Sequence, residues 1–123
     1  MTDEKKILVI DDDVHMRELL ELEFTDLGYK VTTAENAFKG LQSLKDEIVD
    51  LVILDIKMPG MNGIEALEKI VSIKRELPVI IHSAYSHFKE NYLTWSAVAY
   101  VIKSGNLEEL IRTVNSHLGI VKK

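Results

Sequence analysis

The stretch Leu51-Val52-Ile53-Leu54-Asp55-Ile56-Lys57-Met58-Pro59-Gly60-Met61-Asn62-Gly63 constrains the rest of the chain more than any other. Apolar residues rich in β-branching run straight into a carboxylate and then into a Pro-Gly turn, the pattern of a buried strand ending at Asp55. An Asp beside Pro and Gly more commonly just opens a turn. A second stretch shifts the balance: Ile7-Leu8-Val9-Ile10 also ends in carboxylates, Asp11-Asp12-Asp13. Two strands delivering acid to their C-terminal ends point to one shared site.

Between and beyond these strands the pattern alternates. Met16, Leu20, Phe24 and Leu27 recur at helical spacing, and Gly28 stops that helix. Val31-Thr32-Thr33-Ala34 is short, β-branched and only half apolar, as an edge strand can be. Ala37, Leu41 and Leu44 share a face of a second helix that runs to about Asp46 with Glu35 or Asn36 near its start, and Asp50 to Asp55 forms the third strand. Ile64, Leu67, Ile70 and Val71 stripe a third helix. Pro78 opens a fourth strand, Val79-Ile80-Ile81-His82, which Ser83 ends. Ser86 to Trp95 fits a fourth helix least cleanly, with Phe88, Tyr92, Leu93 and Trp95 as its apolar positions. Val98 to Ile102 makes a fifth strand ending at Lys103, and Leu107, Leu110, Ile111, Val114 and Leu118 mark a last amphipathic helix. Such alternation implies a parallel sheet with helices on both faces, because parallel neighbours need helical crossovers.

Composition narrows the function classes. At 123 residues, with 46% hydrophobic and 28% charged, the chain is a soluble globular domain of single-domain size. A net charge of -5 argues against a nucleic-acid surface, which needs clustered Lys and Arg. The absence of cysteine removes a disulfide framework and a Cys-based zinc site, and fits the cytoplasm. No secretory signal is apparent, and no apolar run approaches the ~20 residues that cross a bilayer.

In an open doubly wound sheet, ligands bind outside the carboxyl ends of the strands where strand order reverses. The residues at those ends are Asp11, Asp12, Asp55, Ser83 and Lys103. Neighbouring carboxylates repel, which raises a pKa or calls for a cation, and Mg²⁺ is the hard divalent ion that bridges carboxylates to phosphate. Asp13 sits where a helix N-cap belongs. Taken one at a time, Lys103 is compatible with an ordinary exposed lysine and Ser83 with the start of a turn. Together, acids, a hydroxyl and an amine can accept a phosphoryl group: a carboxylate as nucleophile, metal and lysine neutralising the transferred oxygens.

Through Ile7 to Asp13, Leu54 to Gly63, Ser83-Ala84 and Tyr100-Val101-Ile102-Lys103, the chain resembles the receiver domain of two-component response regulators over nearly its whole length. The resemblance implies a flavodoxin-like (βα)5 fold, a doubly wound parallel five-stranded sheet of order 2-1-3-4-5, with residues 1–123 as a single receiver domain. It implies that Asp55 takes a phosphoryl group from a sensor histidine kinase. Asp12 would bind Mg²⁺ directly and Asp11 largely through water, with the Lys57 backbone carbonyl as a further ligand. Ser83 and Tyr100 would form the switch pair, and Lys103 would contact the phosphoryl oxygens. Lys57 and Tyr85 stand where the family tunes phosphoryl lifetime, and two bulky side chains there are expected to slow hydrolysis. Kinase docking is expected near His15 and Met16, acting on a downstream protein target, with neither nucleic acid nor membrane as a direct partner.

Two positions depart from the family pattern. Lys103-Ser104 replaces the usual Lys-Pro, so a trans bond with a shifted loop or visible strain is expected, because a cis non-proline peptide costs about 3 kcal/mol. Ser96 replaces the glycine of Gly-Ala ahead of the fifth strand, which leaves that loop open. An aspartyl phosphatase fits poorly because Ile56-Lys57 lacks the second acid two residues after Asp55. A flavin or nucleotide domain fits poorly because the first strand leads into acids. A receiver-like module that binds partners without phosphorylation remains open. The chain is read as a stand-alone receiver or a piece of a longer regulator. His15, His82, His87 and His117 show no metal-ligand spacing and are read as ordinary surface or core residues.

Overall fold

Apolar runs that are continuous rather than striped belong to strands buried on both faces, and the striped segments between them belong to the helices that cover those faces. The computed structural model describes residues 4–56, 60–61, 63–84 and 96–119. Along them follow β1 (Lys6–Ile10), α1 (Val14–Asp26), β2 (Lys30–Ala34), α2 (Ala37–Asp46), β3 (Leu51–Leu54), α3 (Gly63–Ile73), β4 (Val79–Ser83), β5 (Ala99–Ile102) and α4 (Glu108–Leu118). The strands form one parallel sheet in the order β2-β1-β3-β4-β5, the expected flavodoxin-like arrangement. The helix expected over Ser86 to Trp95 lies outside the described residues.

Period-two alternation sorts the strand side chains between two cores. Leu8, Ile10, Val52, Leu54, Val79 and Ile81 point to the α2 and α3 side, where Leu44, Leu67 and Ile70 meet them. Ile7, Val9, Leu51, Ile53, Ile80 and Val101 point to the other, against Leu20 and Phe24 of α1 and Leu110 and Val114 of α4. Burying an aliphatic side chain of this size stabilises by about 2 kcal/mol, so the central strands dominate the stability. On the edge, β2 carries an exposed Lys30 and half-buried Val31, Thr32 and Thr33, in keeping with its mixed composition.

The element ends follow local chemistry. Asp13 caps α1, its carboxylate accepting the His15 N–H at 3.0 Å, and Asn36 caps α2 by accepting the Lys39 N–H at 2.8 Å. Gly28 takes φ 102° in the turn from α1 to β2, a conformation that costs a residue with a Cβ dearly. Expected to open β3, Asp50 instead precedes it: its carboxylate accepts the Lys6 N–H at 2.8 Å, tying the start of β1. Beside it, Lys6 Nζ lies 2.8 Å from Glu47 Oε1, and the Thr32 hydroxyl donates to the same oxygen at 3.1 Å. These contacts close the N-terminal edge of the sheet and leave the carboxyl edge for chemistry.

Candidate functional site

At the carboxyl edge Asp11, Asp55 and Lys103 each directly follow the last residue of a strand and are held by the neighbouring strand, while Ser83 is the last residue of β4. The Asp11 N–H donates to the Ala34 carbonyl at 3.1 Å, the Asp55 N–H to Ile10 at 3.0 Å and the Lys103 N–H to Ser83 at 2.8 Å. Register places Ile10 opposite Leu54, so the residues one step beyond, Asp11 and Asp55, come side by side. Carboxylate oxygens of Asp11, Asp12 and Asp55 lie within 4.8 Å of one another, with Asp11 and Asp55 buried and Asp12 exposed.

Two buried acids at this distance require a counter-charge, and Lys103 supplies one. Its Nζ lies 3.0 Å from Asp11 Oδ2 and 3.3 Å from Asp55 Oδ2. Burial alone would lower the Lys103 pKa, yet the charges of Asp11 and Asp55 and the hydrogen bonds to them outweigh it, and the net shift is upward. The amine is therefore a fixed cation at neutral pH.

Ile56, directly after Asp55, is held from α3. The Gly63 N–H donates to the Ile56 carbonyl at 2.6 Å, and a Cβ on Gly63 would stand 2.3 Å from Ile56 Cα and 2.6 Å from the Asp55 carbonyl oxygen. Only glycine permits this approach, which gives the Gly63 of the opening stretch its physical reason. Ser83 is fully buried and forms a side-chain hydrogen bond with Tyr100, which is half-buried against the α2 and α3 core. Burial raises the Tyr100 pKa; the hydrogen bond with Ser83 opposes this and the Asp55 charge adds to it.

The expected site residues Asp11, Asp12, Asp55, Ser83, Tyr100 and Lys103 thus converge on one edge. Lys57 and Tyr85, expected as a carbonyl ligand and as lifetime-tuning side chains, lie outside the described residues. His15 is exposed in the first turn of α1, with Met16 half-buried beside it. The described backbone contains no cis peptide, so Lys103-Ser104 is trans, and the Ser104 hydroxyl shapes its own turn by donating to the Asn106 carbonyl at 2.8 Å. Ser96 is exposed, and the end of the expected fourth helix ahead of it lies outside the described residues.

Sequence reasoning passed over two residues. Arg17 Nη1 donates to the backbone carbonyl of Asp11 at 2.8 Å. His82, read as ordinary, is 2% exposed on the α1 and α4 side, and its Nδ1 has no hydrogen-bond partner among the described residues. Burial first, and the Lys103 charge second, push its pKa down to about 4, so the imidazole is neutral. Alternation with Ile80 was the available signal.

The donor set of the acids fits a cation site. Three hard oxygen donors suit Mg²⁺, whose direct ligands stand about 3 to 4 Å apart, and a 4.8 Å spread suits an ion that keeps some of its waters.

A family profile, the response regulator receiver domain, matches residues 7–115. The chain is 34% identical over 116 residues to the sporulation initiation phosphotransferase F of Bacillus subtilis, covering 93% of this chain and 94% of that protein. It spans only 23% and 24% of two longer curated regulators that it also matches. The crystal structure of response regulator TrrA from Thermotoga maritima in complex with Mg²⁺-BeF superposes with a TM-score of 0.89 at 42% identity, covering 92% of this chain and 98% of that one. TrrA in complex with the histidine kinase ThkA gives 0.87 at 42% identity, covering 93% and 98%. Among the described residues, no helix is long and apolar enough to cross a membrane.

Proposed function

This chain belongs to the response regulator receiver domain family, and from that premise we propose that Asp55 accepts a phosphoryl group from the phosphohistidine of a sensor kinase. The observation that carries the reading is Lys103 Nζ held at 3.0 and 3.3 Å between Asp11 and Asp55, with Asp12 on the same edge. An Asp55 carboxylate oxygen attacks phosphorus, the bond from phosphorus to the histidine nitrogen breaks, and its electron pair leaves with the imidazole. Lys103 follows the charge onto the phosphoryl oxygens as a point cation. Asp11, Asp12 and Asp55 are the groups that would hold Mg²⁺, which when bound neutralises oxygen charge on the transferred group.

Ser83 and Tyr100 form the switch. A phosphoryl oxygen on Asp55 competes for the Ser83 hydroxyl, and the states in which that contact forms gain population by its free energy. The activity is limited to the module's own phosphorylation and dephosphorylation, with Lys57 and Tyr85 tuning the latter. A kinase docks beside His15 and Met16 in the cytoplasm, and residues 1–123 act as one receiver domain. Incubation with Mg²⁺ and a small phosphodonor, read by intact mass, is expected to give one phosphoryl adduct that Asp55→Asn abolishes. No adduct, or one that persists in Asp55→Asn, refutes the proposal.

A further inference from the structure

Asp11 is held at every polar atom. Its N–H donates to Ala34, Oδ1 accepts the Asp13 N–H at 2.9 Å, Oδ2 faces Lys103 at 3.0 Å, and its carbonyl accepts Arg17 Nη1 at 2.8 Å. That carbonyl belongs to the peptide unit joining Asp11 to Asp12. A peptide unit is planar, so the bond that fixes its oxygen also fixes the direction in which the chain leaves for the Asp12 Cα and carboxylate. Asp12 itself is exposed and forms no ion pair among the described residues. Its placement depends on the backbone beneath it.

Arg17 is well placed to supply that restraint. It lies one turn into α1, its own N–H donates to the Asp13 carbonyl at 3.0 Å, and Asp13 caps the helix, so its backbone is anchored before its side chain reaches back. A guanidinium among acids would ordinarily pair with a carboxylate. Here it forms no ion pair among the described residues and spends its bond on a neutral carbonyl. Arg17 therefore takes up neither carboxylate.

We infer that Arg17 is a positioning residue for the divalent cation: its bond to the Asp11 carbonyl orients the Asp11–Asp12 peptide and so presents both carboxylates to one ion. The inference rests on the Mg²⁺ site proposed above. It makes a prediction opposite in sign to simple electrostatics, because removing a positive charge near a cation site should by itself tighten cation binding. Loss of an outer partner that orients ligands weakens it, typically by tenfold or more.

The test is calorimetric titration of the full chain with Mg²⁺ alone, for wild type, Arg17→Met and Arg17→Lys, with thermal unfolding of each recorded without metal. Methionine keeps the apolar stem and loses the donors; lysine keeps a donor. The expected result is Mg²⁺ affinity roughly tenfold weaker in Arg17→Met and within about twofold of wild type in Arg17→Lys, with both variants folded. Binding as tight as wild type or tighter in Arg17→Met overturns the inference, as does an equal loss in both variants. If Arg17→Met does not fold, Arg17→Lys decides: near-native affinity supports the inference and a tenfold loss overturns it. Wild type that binds no Mg²⁺ refutes the proposed metal site itself, a separate outcome.

Discussion

Acidification should destabilise this protein through His82. The imidazole is 2% exposed, its Nδ1 is unpartnered, and its pKa lies near 4 in the fold against 6.5 in the open chain. Between those values the unfolded chain binds a proton that the folded one refuses, so stability rises with pH in that window and falls on acidification. The full difference corresponds to about 3 kcal/mol below the folded pKa. Moving from about pH 7 to about pH 5 should remove about 2 kcal/mol, a sizeable part of a total of roughly 5 to 15 kcal/mol. His82→Leu abolishes this contribution and also removes a buried polar atom without a partner, worth about 1 kcal/mol or more. The assay is urea unfolding followed by circular dichroism at both pH values for both proteins. All other titrating groups are common to the pair, so the difference between their pH dependences isolates His82. Parallel losses of stability in wild type and variant would refute a neutral, buried imidazole.

Two further expectations concern the same edge. Gly63→Ala drives a Cβ into the Ile56 and Asp55 backbone, which should cost about 3 kcal/mol and slow phosphorylation of Asp55, read by denaturant titration and intact mass; unchanged values in both would contradict the close approach. Lys103→Met leaves Asp11 and Asp55 without their counter-charge, and should lower stability by about 3 kcal/mol in metal-free buffer. Mg²⁺ should restore most of that loss and bind more tightly than to wild type, measured by thermal shift, and equal stability without metal would disprove the counter-ion role.

Much of this arrangement was legible in the sequence, and the reasons are physical. Continuous apolar runs ending in Asp11, Asp55, Ser83 and Lys103 announce strands buried on both faces, and parallel pairing brings their ends to one edge. The α1 cap was equally readable, since Asp13 carries the short acceptor that a helix start needs, whereas for α2 the sequence left Glu35 or Asn36 open and the cap is Asn36. Strand ends were less so. Asp50 falls outside β3 because its side chain bonds to Lys6, a contact across sequence that no local pattern encodes. Arg17 escaped notice for the same reason: its role depends on a rotamer reaching a carbonyl six residues back. His82 was visible as a histidine, but its neutrality follows from tertiary burial and from Lys103. The Lys103-Ser104 departure was visible too, and its trans peptide and Ser104 turn show how the loop continues without proline.

The edge that carries Asp11, Asp55 and Lys103 draws on β1, β3 and β5, the first, middle and last of the described strands. Parallel strands join only through long crossovers, so these three groups, far apart in sequence, meet only where their strands pair. The charge pattern of the edge is therefore a property of the paired sheet and of no single segment.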